Sequence, residues 1–200
     1  MPVDLADFND LDRAAFVAAL GEVFEHAPWV AEAAYAGRPF TGVTALHEAM
    51  LSVLLAGPPE EVTRFLSRHP DLAGPRSHAQ ALTDHSTAEQ ASAGFDRLTE
   101  AQAARLAEWS ARYRDKFGFP FIICVRRRSK ESVFAEFERR LGCDPAVELH
   151  AALDEIARIT ALRLVATVSG PGMPNVYGEL STTYSMPVAA HPPPASQFSL

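Results

Sequence analysis

Residues 119–125 read FPFIICV, and the reading of this short apolar run decides the fold class. Seven residues of this kind suit either a buried strand or a buried extended connection, and periodicity does not separate the two. The flanks do. Helical patterns lie on both sides and no second strand is available for pairing, so the run reads as an extended buried connection in an all-α fold. Its backbone N–H and C=O groups, lacking a ladder, are available to a polar ligand.

Upstream, Leu98 to Lys116 carries Leu98, Leu106, Trp109 and Tyr113 with charges between them, a helix that Gly118 terminates. Downstream, Arg126 to Arg128 and Lys130 form a basic run. Glu131, Glu136 and Glu138 follow it closely, which marks a solvated helix end rather than a nucleic-acid site. Val133, Phe134, Phe137 and Leu141 place a helix that stops at Gly142, and Pro145 starts another that runs toward Val168. On this last helix Leu149, Leu153, Ile156 and Thr160 form a stripe, and Arg163 falls on it where a core residue belongs. A buried guanidinium must meet a carboxylate of the protein or a bound ligand; otherwise it snorkels outward near the helix end.

Toward the N-terminus, Asn9 or Asp10 is placed to cap a helix over Leu11 to Leu20. Pro28 opens a short helix over Trp29 to Ala36, with His26 just before it as a capping or core histidine. Thr41 or Thr44 opens a helix through Leu55, with Val43, Leu46, Met50, Val53 and Leu54 near one stripe. His47 and Glu48 begin HEAML, which lacks the second histidine of an HExxH zinc site, so no metal is expected there. Pro58 and Pro59 begin a helix bearing Val62, Phe65 and Leu66, and the chain leaves it at His69, which Pro70 biases away from helical geometry.

Residues 69–94, HPDLAGPRSHAQALTDHSTAEQASAG, join that fixed histidine to a second helix start. The connection 71–85 is polar and marked by Gly and Pro, with His78 and His85 solvated within it. Ser86 to Glu89 spell the S-x-x-E capping box, a structural role for Glu89. Imidazole and carboxylate together are also the commonest pair for moving protons, and a helix N-terminus suits an anionic ligand.

Composition bounds the class. Two hundred residues with 48% apolar content supply one substantial core. A net charge of -7 and a pI near 5.5 argue against a nucleic-acid or anionic-membrane surface. Cys124 and Cys143 have neither metal spacing nor disulfide density, so a reducing compartment is expected. The acidic start MPVDLADFND shows no leader, and no run approaches the roughly 20 residues that span a bilayer, which together point to the cytoplasm. The division expected is a helical domain over 1–168 and a Pro-, Gly- and Ser-rich tail over 169–200.

Five ordered stretches resemble one family. FNDLDRAAFVAALGEVFEHAPWVAEAAYAGRPF near the start, HPDLAG at 69–74, STAEQASAG at 86–94, KFGFPFIICVR at 116–126 and EIARITALRL at 155–164 are similar to OHCU decarboxylase over about residues 8–168. The resemblance implies a single-domain all-α multi-helix bundle with a short extended segment near 117–125, a homodimer, no metal and no cofactor. It also implies decarboxylation of 2-oxo-4-hydroxy-4-carboxy-5-ureidoimidazoline to (S)-allantoin in urate breakdown. By the same resemblance His69 is the proton donor, Glu89 and Arg163 complete the catalytic set, and Pro70, Ser86, Gln90 and the backbone of Phe121, Ile122 and Ile123 contact the substrate. A helical binding protein that keeps the pocket without catalysis is the alternative.

Overall fold

Residues 1–72 and 84–176 are described by a computed structural model, and helices carry its architecture. In chain order come β1 (Val3–Asp4), α1 (Leu5–Asp10), α2 (Arg13–Leu20), α3 (Pro28–Ala34), a 3-10 turn (Tyr35–Gly37), α4 (Val43–Leu55), α5 (Pro59–Ser67) and α6 (Asp84–Ser92). Then follow α7 (Glu100–Phe117), a 3-10 turn (Val125–Arg127), α8 (Lys130–Leu141), α9 (Pro145–Thr167) and β2 (Val168–Ser169). The described residues form two compact units, one from Met1–Pro58 with residues 157–176, the other from Pro59–Ile156.

In the first unit, β1 and β2 pair in parallel, Val3 opposite Val168 and Asp4 opposite Ser169. Two residues are too few for any periodic signal, so the sequence does not announce this pair. The helix placed at Leu11 to Leu20 is observed as α2, starting at Arg13, and α1 is a separate helix before it. Asp4 caps α1 by accepting from the Ala6 N–H at 2.8 Å, and Asp12 caps α2 through the Ala15 N–H at 2.8 Å. Asn9 and Asp10, expected as caps, lie inside α1 instead. The Asn9 side chain donates to the Phe40 carbonyl at 3.0 Å and accepts from the Phe40 N–H at 2.8 Å, pinning a distant loop.

Pro28 does open α3, but its flanking residue Ala27 makes no side-chain cap. His26 is no cap either. It is half-buried, with φ 56, a left-handed conformation uncommon outside glycine. Neither Thr41 nor Thr44 caps α4. The N–H groups of Val43 and Thr44 donate to the carbonyls of Pro171 and Gly172 at 2.9 and 2.7 Å, so the far end of the described chain serves the helix start. Phe8, Phe16, Leu20, Phe24, Val30, Leu46 and Met50 are buried around α2, α3 and α4.

In the second unit, α6 is described over Asp84–Ser92, so Ser86 lies inside the helix and is not the residue flanking its start. The capping box at Ser86 to Glu89 is thereby overturned. A capping box does form at α7, where the Thr99 hydroxyl accepts from the Gln102 N–H and the Gln102 side chain accepts from the Thr99 N–H. Gly118, at φ 79, ends α7 as expected, and residues 119–124 then run buried with no strand of the described residues beside them. Tyr113 packs edge-on against Phe119, Phe121 and Phe137, while Phe121 and Phe137 stack with centroids 3.9 Å apart. Aromatic pairs of this kind add about 0.5–1.5 kcal/mol each beyond area burial, which holds the segment against α7 and α8. His85 is exposed in α6, and His78 lies outside the described residues.

Among the described residues no helix is long and apolar enough to cross a membrane.

Candidate functional site

Pro70 disfavours helical geometry in the residue before it, so α5 ends at Ser67 and His69 sits in a turn, its N–H donating to the Leu66 carbonyl at 3.0 Å. His69 is half-buried and Pro70 buried. The next residue anchors the turn. Arg114 of α7 grips the Asp71 carboxylate at both oxygens, Nε to Oδ1 at 3.0 Å and Nη2 to Oδ2 at 2.9 Å. A forked guanidinium–carboxylate pair fixes direction as well as distance.

Helix α6 carries Glu89. Within α6, Ser86, Glu89 and Gln90 are spaced i, i+3, i+4 and share one face. Ser86 is 4% exposed, and Glu89 and Gln90 are half-buried. The Gln90 amide donates to the Asp71 carbonyl at 3.4 Å, which links α6 to the His69 turn. The same helix packs on the 3-10 turn Val125–Arg127, immediately after the extended segment. Three separate motifs of the sequence thus meet in one unit.

Phe121, Ile122 and Ile123 are 3%, 1% and 6% exposed, too buried for water to serve their backbone groups. Two backbone groups of the segment are met by side chains. The Ile122 carbonyl accepts from Arg140 Nη1 at 2.9 Å, and the Cys124 N–H donates to Glu155 Oε2 at 2.7 Å. Glu155 Oε1 in turn accepts from Arg128 Nη2 at 2.8 Å, so the basic run expected to be a solvated helix end sends one member inward. Arg140 is itself fully buried. Its Nε donates to the two oxygens of Glu148 at 2.9 and 3.1 Å, and Tyr113 donates its hydroxyl proton to the same carboxylate. Burial and the neighbouring Glu148 push the Tyr113 hydroxyl well above the usual tyrosine range, so it stays protonated.

Arg163 falls in the other unit, at 1% exposure. Outward snorkelling is therefore ruled out, and of the partners open to it in the sequence a protein carboxylate is present: Nη2 lies 3.2 Å from Glu25 Oε2. Glu25 is itself buried. One turn earlier on α9, Thr160 Oγ1 donates to the Ala157 carbonyl at 3.2 Å and lies 2.8 Å from His47 Nε2. Burial lowers the His47 pKa to about 4, so this histidine is a neutral core residue. Among the described residues no group of three His, Cys, Asp or Glu could hold a metal ion.

Glu25, Arg140, Glu148 and Glu155 escaped the sequence reading. A signal existed for three of them: Glu148 and Glu155 share a helical stripe with the buried Ala152 and Ile159, and Arg140 shares one with Val133 and Phe137, so charged residues stand where apolar ones belong. At Arg140 the reading of FERRLG as an exposed helix end hid it.

A family model for OHCU decarboxylase matches residues 9–165. The chain is 40% identical over 165 residues to the 2-oxo-4-hydroxy-4-carboxy-5-ureidoimidazoline decarboxylase of Haloferax volcanii, covering 82% of this chain and 96% of that protein. It is 36% identical to the enzyme of the same name from Mus musculus, covering 81% and 91%. Its fold is similar to the crystal structure of (S)-allantoin synthase, with a TM-score of 0.69 and 27% identity; the match covers 84% of this chain and 54% of that one, about half its length. With this match from residue 9 to residue 165, the chain belongs to the OHCU decarboxylase family.

Proposed function

We propose that the chain is a cofactor-free carboxy-lyase of urate breakdown that converts 2-oxo-4-hydroxy-4-carboxy-5-ureidoimidazoline to (S)-allantoin and CO2. The observation that carries this is the 40% identity along nearly the whole length of a decarboxylase named for that substrate. The chemistry suits a protein without a cofactor. When the bond from ring carbon 4 to the carboxyl breaks, its electron pair moves toward the adjacent ring C=N, the ring nitrogen takes a proton, and an enol results. The enol hydroxyl then loses its proton while carbon 5 gains one. The protein's task is to deliver that last proton to one face and to exclude water that would reach either.

In this reading His69 delivers the proton, and Glu89 orients the imidazole or accepts the proton of the substrate hydroxyl. Pro70, Ser86, Gln90 and the backbone of Phe121 to Ile123 position the ring and ureido group. The Arg114–Asp71 fork beside the His69 turn supports such a role, because a proton donor must be held still. Arg163 grips oxygen atoms retained in the product; binding the departing carboxylate would stabilise the ground state and oppose reaction. The reading extends to a homodimer in the cytoplasm, which molar-mass measurement by light scattering and cell fractionation would each check.

Ultraviolet decay of freshly generated substrate, with and without the protein, tests the activity, and circular dichroism of the product tests the stereochemistry. His69→Ala should lower kcat by about 10² to 10⁴, the usual worth of a positioned acid or base. Near-normal stereospecific turnover in that variant would remove the role from His69. Decay no faster with wild-type protein than without it would leave a pocket that binds but does not catalyse.

A further inference from the structure

We propose that Glu155 is a positioning residue for this reaction: its carboxylate holds the segment 119–124 in the register that turns the backbone edge of Ile123 toward the ureidoimidazoline. The inference rests on the reading above that residues 121–123 contact substrate, and adds the residue that sets their geometry.

In an extended chain the backbone groups of successive residues point to opposite sides, so residues two apart share an edge. Ile122 and Cys124 lie on one edge. That edge is occupied from within the protein, by Arg140 at the Ile122 carbonyl and by Glu155 at the Cys124 N–H. Phe121 and Ile123 lie on the other. Both are buried, and neither has a backbone hydrogen bond to any described residue. Buried backbone groups are seldom left without partners, so this edge calls for a ligand that alternates donors and acceptors. A ureido group beside a cyclic urea does so.

Glu155 is suited to set the edge because it uses both oxygens. Oε2 takes the Cys124 N–H at 2.7 Å, while Oε1 takes Arg128 Nη2 at 2.8 Å, just past the 3-10 turn on which α6 packs. One carboxylate thus ties the extended segment to the turn beside the helix of Ser86, Glu89 and Gln90. The side chain of Glu155 is 8% exposed and that of Arg128 is 31% exposed, so the pair can be altered from its outer member without opening the core.

The test uses the full chain with Glu155→Ala, Glu155→Gln and Arg128→Met, reading KM and kcat for substrate decay and the Kd of (S)-allantoin by calorimetry. A misplaced binding edge weakens ground state and transition state alike, so Glu155→Ala should raise KM and the allantoin Kd about tenfold with kcat little changed, the worth of one hydrogen bond. Glu155→Gln keeps an acceptor for the Cys124 N–H and should recover most of that loss. Arg128→Met should raise KM about threefold, in line with loss of a partly exposed pair. A merely structural role has another signature, a smaller active fraction that lowers apparent kcat at unchanged KM. That result in Glu155→Ala, or wild-type KM in Arg128→Met, overturns the proposal, and the Arg128→Met measurement decides the matter even where Glu155→Ala fails to fold. Failure of the underlying reading is distinct: the wild-type chain itself then neither turns over substrate nor binds allantoin, and both readings fall.

Discussion

The imidazole of His47 lies in α4 at 3% exposure, with Nε2 2.8 Å from Thr160 Oγ1. Its pKa is lowered from 6.5 to about 4 because burial penalises the charged ring. Between those values the unfolded chain takes up a proton at this site that the folded chain does not. Stability therefore falls as the pH drops through that window and levels off below about pH 4. For His47 alone the loss between pH 7 and pH 5 is about 2 kcal/mol. Urea unfolding at the two pH values should show wild type losing about that much more than His47→Gln; equal losses in both would place the acid sensitivity elsewhere. Arg163, on the same helix as Thr160, is a buried guanidinium that faces the buried carboxylate of Glu25 at 3.2 Å. Both sites were visible in the sequence as polar residues near apolar stripes. Their partners, 113 and 138 residues away, were not.

At the scale of elements, the buried group of Tyr113, Arg140 and Glu148 joins α7, α8 and α9 beneath the extended segment. Arg140 touches Glu148, Tyr113 and the Ile122 carbonyl, so its guanidinium neutralises an acid and supplies the segment with a hydrogen bond it cannot obtain from a sheet. Removing only one charge strands the other. Arg140→Met should cost about 3–5 kcal/mol, the usual effect of breaking a buried pair. The double variant Arg140→Met with Glu148→Leu should be more stable than the two single losses added together, by about 0.5–3 kcal/mol. A double-mutant cycle by urea unfolding measures this, and strict additivity would mean that the two charges do not act as a pair. The helices themselves were legible at this scale: Gly118, Gly142 and Pro145 mark boundaries within a residue of those observed. Cap assignment failed at Asn9, Asp10, Thr41, Thr44 and Ser86 because an N-capping side chain is effective only at the residue where the chain enters the helix: Thr41 stands one residue too early and the others lie inside helices.

Across the whole molecule, the ends of the described chain are brought together by β1 and β2, and Gly170 follows β2 at φ 153. A Cβ at Gly170 would stand 2.9 Å from Leu5 Cβ, in a backbone conformation that side chains rarely adopt. Gly170→Ala should destabilise the fold by about 1–3 kcal/mol, since neither the contact nor the backbone can give cheaply. A melting temperature lower by roughly 2–4 °C per kcal/mol is the readout, and an unchanged value would show that the strand pair adds nothing to global stability. The carbonyls of Pro171 and Gly172, just beyond, serve the start of α4.

What the sequence by itself determined is the helical class, the order of the longer helices, the stops at glycine and proline, and an extended run, which holds over 119–124 before the 3-10 turn at Val125. Each follows from spacing over a few residues or from the dihedral preferences of a single one, and such local causes leave a readable pattern. Only the tertiary structure decided which carboxylate meets Arg163, which side chains serve Ile122 and Cys124, and that α6 lies beside the His69 turn. Those outcomes depend on which surfaces meet after helices pack. Packing rewards volume and charge complementarity between residues far apart in sequence, and no local period carries that information.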